Sequence, residues 1–319
     1  MKKIYKTLLA VPLSLSFLLM GTACDYEITK RPGKKTNSSE DSDEIIVEGW
    51  IATDKTEYEY DESGKLLKEI SYRWIMDTNT WEGTWMNEFG YNEGEDEWFQ
   101  QKQYQWDTWE NTWRPDFRCD NINGTHYYYN WSNEINDWFL NAKQVSIIDE
   151  DDIPVREICY SWSEAENDWI LTGKGVYSYD NRMATQSIEW FRLNEANEWV
   201  YDRKTEFEYS EDWNTCTTSD YMWINGAWKG LQKDIYERDK DYNDLSYVRF
   251  YWFESINDWK EASKEVYEYN EKKNRILELH YKWSDEMNDF VENGKSVYKY
   301  NGNGGKILFV SFAKQNIFD

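Results

Sequence analysis

The chain has two histidines, His126 and His280, among 61 aspartates and glutamates. Imidazole is the usual general base near neutral pH and the commonest metal ligand, so two copies far apart in the sequence restrict the chemistry. No histidine pair at helical spacing, CxxC pair, Gly-rich phosphate loop or nucleophile elbow is present. Metal-dependent hydrolysis and histidine-assisted nucleophilic catalysis are therefore disfavoured, and no catalytic residue, metal ligand or cofactor is assigned. His280 lies in ILELHYKW (276–283), where alternation groups it with Glu278 and Lys282 on the polar side of a strand, as a surface histidine. Glycoside hydrolysis needs only two carboxylates at a suitable separation, but the acids are spread too evenly to single out a pair. The run DEDD (149–152) has the charge for calcium without the alternating spacing or glycine of a calcium loop, and reads as an exposed turn.

The elements that would have to position any such group repeat along the chain. Aligned on their second Trp, YRWIMDTNTW (72–81), YQWDTWENTW (104–113), YNWSNEINDW (129–138) and YSWSEAENDW (160–169) share one template. It continues in WFRLNEANEW (190–199), the shortened YMWINGAW (221–228), FYWFESINDW (250–259) and YKWSDEMNDF (281–290). The anchors are Trp50, Trp81, Trp113, Trp138, Trp169, Trp199, Trp228, Trp259 and Phe290, so eight intervals span 240 residues with a mean period of 30. Five residues after seven anchors stands a lysine: Lys55, Lys143, Lys174, Lys204, Lys233, Lys264 or Lys295. An aromatic pair follows, such as Tyr58 and Tyr60 or Tyr267 and Tyr269, while the unit after Trp113 is truncated and irregular.

Within a unit apolar residues alternate with period two, the pattern of strands with one buried face. In ILELHYKW, Leu277, Leu279, Tyr281 and Trp283 share an aromatic face opposite a charged one. Each unit then holds two strands, joined by an inner turn such as DESG (61–64) or NGNGG (301–305), and linked to the next unit by the loop between its two Trp. Seven of eight such loops carry Asn two places before the anchor; Asn tolerates the left-handed backbone that closes short hairpins. The expected fold is all-β: an antiparallel meander of about nine hairpins and 17 or 18 strands over residues 49–319, forming a long curled, spiral or barrel-like sheet. Cys119, Cys159 and Cys216 fall on strands separated by roughly 14 to 19 Å at about 4.8 Å per strand, so three free thiols are expected.

Residues 1–23 have a Lys-rich head, an apolar run and small residues before Cys24, the layout of an export signal. Gly21-Thr22-Ala23-Cys24 resembles the lipobox of bacterial lipoproteins, which implies lipid attachment at Cys24; an ordinary cleaved signal is the alternative. Residues 24–48 are polar and free of the repeat, and read as a flexible tether. Three lysines lie in the signal, so its removal takes the formal charge from −25 to −28. That surface disfavours nucleic acid as a partner.

YEYDESGKLL (58–67) resembles a YD repeat of the Rhs and teneurin type, whose hairpins stack into a spiralling sheet; YSYDNRMA (177–184) and YKYNGNGGKIL (298–308) are weaker copies. The Trp-rich units as a whole are similar to uncharacterised repeat lipoproteins of Gram-negative bacteria. GVYSYDNRMATQSIEW (175–190) is faintly similar to Trp/Tyr hairpins that hold cell-wall choline or glucans. Most aromatics are expected in the core. Trp131, Trp162, Trp223 and Trp228, beside the loops, are the candidates for ligand contact. The functional expectation is a lipid-anchored envelope protein, at the outer membrane, acting as a non-enzymatic scaffold that binds glycan or another envelope protein. A carboxylate glycosidase and a purely structural spacer are the alternatives.

Overall fold

The computed structural model describes residues 49–92 and 98–314. Cys24, the signal and the tether lie outside the described residues. Eighteen strands follow one another: β1 Trp50–Tyr60, β2 Leu66–Ile75, β3 Thr80–Tyr91, β4 Trp98–Asp107, β5 Thr112–Ile122 and β6 Thr125–Ser132. Then come β7 Asp137–Ile148, β8 Pro154–Ser163, β9 Asp168–Tyr179, β10 Thr185–Leu193, β11 Trp199–Tyr209 and β12 Thr215–Ile224. The last six are β13 Ala227–Arg238, β14 Asp244–Phe253, β15 Asp258–Tyr269, β16 Arg275–Ser284, β17 Asp289–Tyr300 and β18 Lys306–Lys314. Every strand pairs antiparallel with its neighbours in sequence, and β1 also pairs with β18 from Trp50↔Lys314 to Glu57↔Leu308. The meander therefore closes into a barrel-like sheet, the third of the three forms expected.

Turn chemistry explains the hairpins. Asn79, Asn111, Asn136, Asn167, Asn197, Asn257 and Asn288, the residues two before the anchors, all have φ between 51° and 58°. The shortened copy and the truncated unit turn on Asn225-Gly226 and Asn123-Gly124, with both residues of each pair at positive φ, as a two-residue type I′ turn demands. At six of the inner turns an Asx residue receives two backbone N–H groups, as in Ser63 N and Lys65 N donating to Asp61 Oδ1 at 2.8 and 2.9 Å. DEDD is one of these turns, with Asp149 Oδ1 accepting from Asp151 N and Ile153 N.

A β-bulge recurs three residues after every anchor. Thr53, Thr84, Asp116, Asn141, Thr172, Asp202, Leu231, Ala262 and Asn293 are each skipped by the register. One extra residue reverses the alternation, so a residue five places past the anchor returns to the anchor's own face. That is why the lysine stands at this spacing. Its ammonium group lies over a ring of its own unit's second strand and over the next unit's anchor: Lys55 over Tyr72 and Trp81 at 4.6 and 5.4 Å, Lys143 over Tyr160 and Trp169 at 4.8 and 4.4 Å. Lys295 of the last unit lies over Trp50 of the first at 4.6 Å, carrying the same contact across the closure.

The charged face departs from expectation. Leu277, Leu279 and Tyr281 do share one side of β16, but the opposite side, with Glu278 and His280, also carries Tyr267 and Tyr298 from the adjacent strands. These long rings lean over the polar groups, and Glu278 and Ser296 are fully enclosed. Both faces are aromatic, and the charged one holds buried acids.

Candidate functional site

Register brings together residues that sequence separates. Glu278 and His280 are two apart on β16 and therefore neighbours on one face; β15 places Glu265 directly opposite His280, and β17 places Ser296 opposite Glu278. The His280 Nδ1 atom is 3.5 Å from Glu278 Oε1 and 3.7 Å from Glu265 Oε1. One donor atom from each of the three residues falls within 4.8 Å of the other two. His280 is thus half-buried in an acidic cluster, not a surface histidine as alternation alone suggested. Gly294, opposite it, gives the ring room: a Cβ there would meet the His280 ring at 3.4 Å and the Phe312 carbonyl at 3.3 Å.

Each member is held from behind. Tyr267 donates to Glu265 Oε2 at 2.8 Å, Tyr298 donates to Glu278 Oε2 at 3.2 Å, and His280 Nε2 lies 2.9 Å from Ser296 Oγ. Ser296 Oγ continues to Ser311 Oγ at 3.0 Å. Burial, followed by the charge of Glu265, holds the Glu278 carboxyl well above the carboxylate range. Burial also works to raise Glu265, but hydrogen bonding with His280 and Tyr267 outweighs it and leaves Glu265 below its ordinary value. The two acids thus titrate as a pair, with the proton on Glu278. Burial, then the adjacent carboxylates, push the Tyr267 and Tyr298 hydroxyls up, so both remain donors.

Other buried acids of the sheet are completed by neighbours. Asp234 accepts from Arg249 at 3.0 and 3.2 Å and from Tyr247 at 3.1 Å, and Glu157 accepts from Tyr177 at 2.6 Å and Gln144 at 2.5 Å. Among the described carboxylates, Glu278 alone keeps a buried oxygen, Oε1, with no hydrogen-bond partner. The nearby Arg275 stacks on the Tyr267 ring at 4.4 Å and pairs with Asp244 at 3.3 Å instead of meeting that oxygen.

Above this cluster, towards the Trp loops, lies a cleft of about 680 Å³. Glu265 and His280 line it; the small residues Ala262, Ser263, Gly294 and Ala313 leave its space open, and Lys260, Lys282 and Asp285 supply polar groups. Tyr251 and Phe253, on β14, also line it and are 45% and 46% exposed. Lys260 Nζ lies 5.3 Å from the Phe253 ring centre and 2.8 Å from Asp285 Oδ2.

The aromatic candidates from sequence sit elsewhere and apart. Trp131, Trp162 and Trp223 lie on β6, β8 and β12, and each pairs edge-to-face with the anchor of its own loop: Trp138 at 5.2 Å, Trp169 at 5.2 Å and Trp228 at 5.0 Å. Tyr201 packs on both Trp223 and Trp228 at 5.1 and 5.2 Å. These rings are half-buried hairpin closures, and only Trp223 and Trp228 touch each other. Sequence offered one pointer to the cleft region: FYWFESINDW carries extra aromatics beyond the template. It offered none to the acid–histidine cluster.

No family model matches the chain, and no curated protein matches it. Among solved structures, a protein of unknown function from Bacteroides fragilis is 20% identical with a TM-score of 0.33, over 38% of this chain and 91% of that one. A porin-like protein from Bacteroides uniformis is 7% identical with a TM-score of 0.34, over 83% and 95%. The TcdB2-TccC3 structure is 9% identical with a TM-score of 0.36, over 83% of this chain and 16% of that one. At such scores the likenesses carry no functional argument.

Proposed function

We propose that this chain is a binding scaffold of the bacterial envelope, lipid-anchored through Cys24, and that its ligand is a glycan held in the cleft beside β14. The observation that carries the reading is the pairing of two open rings with polar groups in one concave place. Tyr251 and Phe253, nearly half exposed, are flanked by Lys260, Lys282 and Asp285. Ring faces stack on the apolar faces of sugars, and charged or amide groups beside them bind hydroxyls, the usual composition of a ligand site. The Lys-rich head, apolar run and GTAC sequence support the anchor, and the YEYDESGKLL resemblance fits an envelope hairpin-repeat protein.

A glycan array with the purified chain, followed by calorimetry on its best ligand, tests this. Tyr251→Ala and Phe253→Ala should each weaken binding about tenfold or more, the size of one lost aromatic contact. A blank array together with a blank pull-down from envelope extract removes the support. Fatty-acid labelling that is lost in Cys24→Ser checks the anchor. The carboxylate pair does not favour a glycosidase: Glu278 is fully enclosed beneath Tyr298 and cannot touch a sugar ring. A mere spacer would have no use for open rings.

A further inference from the structure

We infer that Glu265, Glu278 and His280 bind one divalent first-row metal ion of the zinc type, with its remaining coordination position facing the cleft. This goes beyond the glycan reading and does not depend on it.

The geometry fits the ion. A tetrahedral shell with bonds of about 2.0 to 2.1 Å has donor-to-donor edges of about 3.4 Å; the His280 Nδ1 edges to Glu278 and Glu265 are 3.5 and 3.7 Å, and the edge between the two carboxylates is within 4.8 Å. The donors fit as well: one imidazole and two carboxylates suit zinc, manganese or ferrous ion better than calcium, which prefers an all-oxygen shell.

An independent observation points to a missing partner. Glu278 is fully buried, yet its Oε1 has no hydrogen bond and faces Nδ1 of His280. Without an ion the Glu278 carboxyl can be relieved only by sharing a proton with Glu265; ionised, its enclosed Oε1 would be left alone at a cost of about 1 to 3 kcal/mol. The second donor atom of each residue is held by a group that would orient a ligand: Tyr267 on Glu265 Oε2, Tyr298 on Glu278 Oε2, and Ser296 on His280 Nε2. Ser296 Oγ can accept the Nε2 proton, which would free Nδ1, the ring atom facing both carboxylates, to give up its proton to an incoming ion, as metal binding requires. Glu265 and His280 also line the cleft, so an ion has a way in and a ligand or water can reach it. Sequence reasoning assigned no metal because the ligands occur as Glu265, then Glu278-x-His280, a spacing of no known loop. Only the β15–β16 register joins them.

The test is calorimetric titration of the full chain with Zn²⁺ after chelator treatment, with Co²⁺ substitution read by visible absorption. The expected result is one ion per chain, intense tetrahedral-type Co²⁺ bands, and a rise in Tm on adding Zn²⁺. His280→Gln and Glu265→Gln should abolish the bands and the Tm rise. Ser296→Ala, which only orients the imidazole, should weaken affinity about 10- to 100-fold while keeping the bands. Circular dichroism of each variant confirms that it folds. Tyr251→Ala should bind zinc as the parent does while losing glycan, so failure of either proposal is seen separately. No stoichiometric binding of Zn²⁺ or Mn²⁺ below about 1 mM, a Kd worth only about 4 kcal/mol, would overturn the inference; the two acids would then simply share a proton. Binding that persists unchanged in His280→Gln would overturn it too, tracing the ions to the acidic surface.

Discussion

Met183, Tyr242 and Lys273 hold φ of 60° to 64° at the fourth residue of their inner turns, where Gly64 and Gly304 stand in sister units. A side chain in left-handed backbone costs about 1 to 2 kcal/mol, against about 0.5 to 1 kcal/mol of extra unfolded-state entropy for glycine. Met183 is also exposed. Met183→Gly should therefore stabilise the protein by roughly 0.5 to 1 kcal/mol, read as a higher urea midpoint with unchanged slope. The thiols offer a second check. Cys119, Cys159 and Cys216 are unpaired, and burial, then the Asp120 charge, push the Cys119 thiol up to about 12. All three should react with a thiol reagent in unreduced denaturant, while Cys119 and Cys216, both buried, should be silent in the native protein. The thiol assignment was legible from strand counting, because distance along a meander scales with strand number. The environment of His280 was not. Alternation says which face a residue takes, but the enclosure of that face depends on the Tyr rings supplied by neighbouring strands.

The hairpin unit has a tight junction with the next. Gly230 sits under the following Trp252–Trp259 pair, and a Cβ there would lie 2.8 Å from Trp252 and 2.9 Å from Trp259; Gly83 stands likewise under Trp106 and Trp113. Gly230→Ala should cost about 1 to 3 kcal/mol, the usual penalty of overpacking. Gly302→Ala, with nothing within 4 Å, should change little in the same denaturant titration. The second Tyr of the aromatic pair is another joint: Tyr91, Tyr179, Tyr269 and Tyr300 donate to the carbonyls of Leu66, Pro154, Asp244 and Arg275, each 25 residues upstream. The repeat, the turns and the strand count could be read from sequence because each is a local property with a fixed period. The bulges could not, since an extra residue leaves no mark in the residue types of one unit. The Lys spacing of five was their trace, an odd offset for partners on one face.

Closure of the sheet leaves no strand edge among the described residues, since β1 and β18 cover each other. Removing residues 301–319 would expose β17 and β1 as long unpaired edges, which recruit other chains. The truncated protein should run as oligomers in size-exclusion chromatography with light scattering, where the full chain gives one defined species. From sequence a curled or spiral sheet was as reasonable as a closed one, because the alternation of strands fixes neighbours and not how many complete a turn. One consequence concerns chain order. With Trp50 and Lys314 side by side and the same Lys-on-ring contact repeated across the seam, the fold has no preferred beginning. A circular permutant opened at any Trp loop keeps every pairing, and the point from which a tether departs can be moved around the rim while the cleft at β14–β18 stays as it is.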